Sequence, residues 1–116
     1  MNIIIAGSRT FKDYTLMRQK LDYYFQNISP IIVCGEAKGA DELGRRYAES
    51  HGLEIISMPA DWNKYGKSAG YKRNEQMEKI ADGLVAFWDG KSKGTKHMID
   101  TMTAKGKQVR IVLFKG

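Results

Sequence analysis

Asn2-Ile3-Ile4-Ile5-Ala6-Gly7-Ser8-Arg9-Thr10, a short apolar run that breaks into a glycine-serine-arginine turn, decides the fold. Consecutive apolar residues bounded by a turn signal read as a strand buried on both faces, the hallmark of a parallel sheet. The pattern recurs. Ile31-Ile32-Val33-Cys34 follows the helix-blocking Pro30 and runs into Gly35, and Leu84-Val85-Ala86-Phe87-Trp88 runs into Asp89-Gly90-Lys91-Ser92-Lys93-Gly94-Thr95. Residues 53–58 and 108–114 read as two further strands.

Helical periodicity fills the intervals. Asp13 is the N-cap of a helix to about Gln26, with Leu16/Met17, Leu21, Tyr24/Phe25 and Ile28 on one stripe. Leu43, Tyr47 and Ala48 mark a second helix, ended by Gly52. After Pro59 comes a long polar connection. A third helix starts at Ser68 or Gly70 and runs to Ala81, with Met77, Ile80 and Ala81 apolar. Met98, Ile99 and Met102 define a fourth, from Thr95 to Lys105, stopped by Gly106. Strand–helix alternation predicts a single three-layer, Rossmann-like α/β domain over residues 1–116, a parallel sheet of about five strands with helices on both faces. With strand order 3-2-1-4-5, a ligand crevice opens at the carboxyl ends of strands 1 and 4, so the two glycine-rich turns face each other.

Composition bounds the rest. At 116 residues with 42% hydrophobic and 28% charged residues, the chain buries a core without staples. No apolar run approaches a membrane span, and Met1 leads into a strand without a basic signal-peptide region. The lone Cys34 ends an apolar run and reads as a buried structural thiol, which fits a cytoplasmic setting. The net charge is +6. Ten basic residues against six acidic ones, an excess of four, lie in or just beyond the turns that follow strands. That distribution suits either a solvated surface or a focused anion site.

The candidate site residues follow from these turns. A strand that ends in a Gly/Ser/Thr turn and then a helix presents backbone N–H groups and a positive helix end to an anion. Gly7 and Ser8 on one side, and Gly90, Ser92, Lys93, Gly94 and Thr95 on the other, are the candidate phosphate-holding groups. Arg9 offers a guanidinium that grips phosphate with two parallel hydrogen bonds. Gly35, Gly39 and Ala40 let the backbone approach a ligand, and Asp41 either binds a ribose hydroxyl or caps the second helix. Trp62 either stacks on a base or plugs the core edge. Arg73 and Asn74 sit where they reach back over the sheet edge. Gly66-Lys67-Ser68 is not a P-loop, because Asp61 occupies the leading glycine position, and no G-x-G-x-x-G follows the first strand. His51 and His97 stand apart from any ligand cluster, so neither a metal nor a catalytic triad is expected.

Taken in order, Gly7-Ser8-Arg9 with Asp13, Gly35-x-x-x-Gly39-Ala40-Asp41, Asp61-Trp62, Gly66-Lys67-x-Ala69-Gly70, Arg73-Asn74-x-x-Met77, Ala81-Asp82 and Gly94-Thr95 resemble the YspA-like branch of the SLOG superfamily. That superfamily joins the Smf/DprA fold with the Lonely Guy enzymes, and the resemblance covers essentially the whole chain. It implies a Rossmann-like fold that binds nucleotides or nucleotide-derived ligands, in bacteria or phages. Lonely Guy enzymes are phosphoribohydrolases with an arginine near a helix start and a P-G-G-x-G-T-x-x-E segment. Arg73 matches the arginine. Residues 89–98 match the segment imperfectly: the proline-glycine-glycine start is missing, and Met98 stands where the resemblance puts the catalytic glutamate.

The resulting expectation is a protein that senses or sequesters a nucleotide or nucleotide-derived phosphorylated molecule, without a cofactor. N-glycosidic cleavage by a relocated carboxylate, Asp41, Asp89 or Asp100, is the alternative, and a DNA-associated module ranks last. A homodimer or higher homo-oligomer is compatible with the exposed Met and Tyr residues expected on the helices. No membrane partner is expected, and a nucleic-acid partner is disfavoured because no helix carries a basic stripe interleaved with aromatics.

Overall fold

β1 (Asn2–Gly7) lies at the centre of the sheet because its side chains are apolar on both faces. The structure is a computed structural model that describes residues 1–115. It continues with α1 (Tyr14–Tyr24), β2 (Ile31–Cys34), α2 (Ala40–Ser50), β3 (Ile55–Ser57), α3 (Trp62–Tyr65), α4 (Ala69–Ile80), β4 (Gly83–Trp88), α5 (Lys93–Ala104) and β5 (Gln108–Leu113). All strand pairs are parallel and the order is β3-β2-β1-β4-β5. The chain therefore forms the expected three-layer α/β fold, with the order reversing between β1 and β4.

Alternate residues of each strand feed opposite faces. Ile3 and Ile5, with Ile32, Val85 and Phe87, pack under Met17 and Leu21 of α1 and Tyr47 and Ala48 of α2. Ile4, with Val33, Leu84 and Ala86, packs under Met77 of α4 and Met98, Ile99 and Met102 of α5. Asp13 caps α1 as its spacing predicts, its carboxylate accepting from the Leu16 N–H at 3.0 Å. Asp82 accepts from the Asn2 N–H at 2.7 Å, locking β1 to the start of β4 at the amino edge of the sheet. That edge is opposite the switch-point crevice, so this aspartate of the Ala81-Asp82 motif is structural.

Three sequence expectations need correction. The third strand is Ile55–Ser57, not residues 53–58, because the Leu53 N–H is drawn to Ala48 O at the end of α2. The long polar connection after Pro59 carries local structure, in which Asp61 caps the short α3 through the Lys64 N–H and a 3₁₀ turn over Gly66–Ser68 leads into α4. Ile80 is 39% exposed, since Met77 and Ala81 take the buried side of α4. Ile28 is also exposed, lying beyond the end of α1.

Candidate functional site

The three central strands end in three turns, and Ser8 ties these together. Its N–H donates to Phe87 O at 2.9 Å, and its carbonyl accepts from the N–H groups of Phe11 and Ala40. Its hydroxyl accepts from the Asp89 N–H at 3.1 Å. Ser8 is buried with these groups engaged, so it frames the crevice and offers no phosphate-binding N–H, contrary to expectation. Gly39 and Ala40 belong to the same frame. Gly39 has φ +75°, and a side chain there would strike the carbonyls of Ser8 and Arg9. Ala40 is fully buried against Gly7. Gly90, at φ +81°, forms an open turn and does not line the crevice.

Above this frame lies a cleft of about 240 Å³ at the carboxyl ends of β1 and β4. Ala6, Met77 and Met98 supply apolar surface, Ser92, Gly94 and Thr95 one wall, and Trp62 and Tyr71 aromatic rings. Arg9, Lys67 and Arg73 bring positive charge, and Asp41 and Asn74 complete the polar lining. Past Arg9, Ala37, Trp62 and Arg73, which border both spaces, a second compartment of about 440 Å³ extends over Gly35, Glu36, Lys38, Pro59 and Ala60.

The wall at α5 presents the start of that helix to the cleft. Asp89 accepts from the N–H groups of Lys91 and Ser92, each at 2.8 Å, and folds the turn. These bonds, that to Ser92 first, hold the Asp89 carboxyl below the usual aspartate range. The hydroxyl of Ser92, the N-cap residue, accepts from no backbone N–H of the helix; it accepts instead from the Thr95 hydroxyl, Oγ1 to Oγ 3.2 Å. The first turn of α5 thus has no side-chain cap and no acidic residue at the positive end of its dipole. The Lys93 side chain is exposed and does not line the cleft.

Across the cleft, α4 delivers a relay. Arg73 Nη1 donates to Gly35 O at 2.6 Å, Arg73 Nε to Asn74 Oδ1 at 3.1 Å, and Asn74 Nδ2 to Gly94 O at 3.1 Å. The buried Asn74 amide also meets His97 Nδ1 at 3.2 Å, and the His97 ring packs on Tyr71 with centroids 4.5 Å apart. Asp41 is buried at the start of α2 and accepts from the Ala37 N–H at 3.3 Å. Burial raises its carboxyl above the ordinary aspartate value, against the pull of the Arg73 guanidinium and the N–H groups of Ala37 and Gly35.

Residues 1–65 match the family model described as YAcAr, the YspA, cpYpsA-related SLOG family. The chain belongs to the YspA-related SLOG family. Gene 61 protein of Mycobacterium phage D29 is 35% identical over 103 residues, covering 82% of each chain. Among solved structures, DNA processing protein A of Streptococcus pneumoniae superposes with a TM-score of 0.76 at 16% identity, over 98% of this chain and 50% of that one. The present chain therefore spans about half the length of that protein. TM1055, a structural-genomics target, gives a TM-score of 0.67 at 18% identity, over 93% of this chain and 71% of its own. At these identities the likeness is one of fold.

Within this SLOG fold, the structure brings Gly7, Arg9, Asp41, Trp62, Arg73, Asn74, Ser92, Gly94 and Thr95 around one cleft, with Gly35 in the adjoining compartment. Tyr71 and Ala37 were not among the sequence candidates. Tyr71 is three residues before Asn74 and so shares its helix face. Of the relocated-carboxylate candidates, Asp89 is committed to its turn and Asp100 to an ion pair with Lys96 at 2.7 Å, and neither lines the cleft. Met98 does line it and is 1% exposed, so a thioether stands at that point of the wall. Among the described residues no cluster of metal-ligating side chains forms, and no helix is long and apolar enough to cross a membrane.

Proposed function

We infer that this SLOG protein binds a nucleotide or nucleotide-derived phosphorylated molecule in the cleft between β1 and β4. The observation that carries this reading is the uncapped first turn of α5, opposed by the guanidinium groups of Arg9 and Arg73 and roofed by Trp62 and Tyr71. Helix-end N–H groups and forked guanidiniums hold phosphate, and aromatic rings accept the face of a base. Asp41 is the acceptor for a ribose hydroxyl. Binding without turnover fits the lining, since Met98 stands at the position that the resemblance to the Lonely Guy enzymes gives to a glutamate, and stabilising an oxocarbenium-like sugar calls for a carboxylate.

Asp41 supports one alternative. It is a buried carboxyl in a cleft with a raised pKa, the profile of a general acid, which would make the protein an N-glycosidase. One experiment separates the two. Purified protein is incubated with a nucleotide panel, and bound and free fractions are analysed by mass spectrometry. Intact ligand retained by wild type and lost by Arg73→Ala supports binding. Free base and ribose phosphate, abolished by Asp41→Asn, establishes the enzyme. Retention of every nucleotide equally by wild type, Arg73→Ala and Gly94→Asp rejects the site.

A further inference from the structure

We propose that His97 is a positioning residue and a proton-controlled latch behind the cleft: unprotonated at Nδ1 it holds the Arg73–Asn74–Gly94 relay together, and a proton taken up there opens it. The effect on ligand affinity rests on the binding reading above and adds a regulation to that site. The latch itself does not depend on that reading.

The Asn74 amide has its orientation fixed at both ends. Its Oδ1 accepts from Arg73 Nε at 3.1 Å, and a guanidinium nitrogen only donates. Its Nδ2 donates to Gly94 O at 3.1 Å, and a carbonyl only accepts. Turning the amide over would set donor against donor at one end and acceptor against acceptor at the other. The third contact, from Nδ2 to His97 Nδ1 at 3.2 Å, is therefore a hydrogen bond only when Nδ1 is the acceptor. His97 so placed carries its ring proton on Nε2. The chain's other histidine, His51, is held the opposite way: its Nδ1 lies 2.9 Å from Tyr47 O, so there Nδ1 is the donor.

A proton on His97 Nδ1 sets an N–H against the Asn74 NH₂. Asn74 cannot turn over to meet it without losing Arg73 and Gly94, and it is buried, where an unmatched donor is costly. The amide moves away instead. Arg73 then keeps Gly35 O alone, and the first turn of α5 loses its tie to α4. Tyr71 brings this event close to a ligand, because its ring packs on His97 and also lines the cleft. Charge around the imidazole is mixed. On α5, Lys93 lies one turn before it, and Asp100, on the following turn, is bonded to Lys96. On α4, Glu75 lies one turn beyond Tyr71, and Glu78, one turn beyond Asn74, is paired with Lys107 at 2.8 Å. Among the described residues His97 itself makes no ion pair, which leaves Asn74 as its side-chain hydrogen-bond partner.

The test begins with nitrogen-15 spectra of the ligand-free protein from about pH 8 to about pH 5, the span in which imidazoles titrate. At the upper end His97 should show an unprotonated Nδ1, and His51 a protonated one. As His97 gains its second proton, the Arg73 Nε–H shift should move toward that of the exposed Arg18 with the same midpoint. His97→Gln, which supplies an acceptor that does not titrate, should abolish that movement. A protonated Nδ1 at pH 8, or an Arg73 signal indifferent to the His97 titration, overturns the proposal without any variant having to fold. Calorimetry with AMP then reads the consequence. Between the two ends of the span, wild type should lose about fivefold more affinity than His97→Gln, the phosphate's own titration being common to both. Affinity that rises in acid in wild type alone would mean that the imidazolium attracts the anion through space, and overturns the latch. If the spectra behave as stated and AMP does not bind, the latch stands and the nucleotide reading falls.

Discussion

Arg73 Nη1 donates to the Gly35 carbonyl at 2.6 Å, so a side chain from α4 reaches across the carboxyl edge of the sheet to the end of β2. The pairing makes a glycine part of an arginine's position, and separates loss of a charge from its displacement. Arg73→Ala and Gly35→Ala should both weaken nucleotide binding, by about 10-fold or more, the first by removing the fork and the second by pushing it aside. Arg73→Lys should recover little, because an ammonium cannot make two directed bonds to backbone and Asn74 while facing a ligand. Titration calorimetry on the three variants checks the order.

Gly94→Asp offers a contrast of signs. A side chain at Gly94 meets open space, and an acidic residue in the first turn of α5 is favourable to the helix. Thermal stability should hold or rise, by about 0.3–1 kcal/mol, while nucleotide binding is lost. A variant that unfolds, or one that binds as wild type does, contradicts the assignment of this turn to an anion.

Gly39→Ala should be among the most damaging small substitutions in the chain. It places a β-carbon against the Ser8 and Arg9 carbonyls in a left-handed conformation, at a cost of about 1–3 kcal/mol in backbone strain before any clash. Urea denaturation should show a lower midpoint with an unchanged slope.

The two aspartates predict opposite pH dependences. Asp89 has a depressed folded-state pKa, so its contribution to stability is present above the unfolded aspartate value and is lost as pH falls through the folded one. The midpoint difference between wild type and Asp89→Ala should therefore shrink in acid. Asp41 has a raised folded-state pKa, so its contribution is full below the unfolded value and is lost as pH rises through the folded one. Asp41→Asn should gain stability relative to wild type as pH climbs from the acid range to neutrality. Melting temperatures of both variants across that span check the signs.

Trp62 is 55% exposed, so Trp62→Ala should leave the melting temperature nearly unchanged. Base stacking on an aromatic ring is worth about 1–3 kcal/mol, and its loss should weaken nucleotide binding correspondingly. Quenching of Trp62 fluorescence by ligand, measured in a Trp88→Phe background, reads the contact directly.

The fold was legible because its signals are local. β2 and β4 are continuous apolar runs with Pro30 before one, Gly35 after it, and Asp89 after the other, and nothing competes with a strand there. β3 is shorter than its apolar run because Leu53 has the composition of a strand but its N–H closes the end of α2. In the site, Arg9, Arg73, Gly94 and Thr95 were visible as turn and helix-start residues. Ser8 departs from the expectation for a physical reason: a small polar residue in a tight turn has the same local signature whether its groups face a ligand or hold neighbouring turns together. Only the pairings with Phe87, Ala40 and Asp89, distant in sequence, distinguish them. Tyr71 escaped because its partner His97 lies on another helix.

Because Ser8 fastens the ends of β1, α2 and β4 to one another, the inner walls of the groove form a fixed chassis. The segment that carries Trp62 and Lys67 is of another kind, two short turns with none of their residues buried. Changes there alter the rim without disturbing the chassis. On the proposed reading, ligand preference can therefore be altered by substitutions within residues 60–68 alone, which the chassis tolerates.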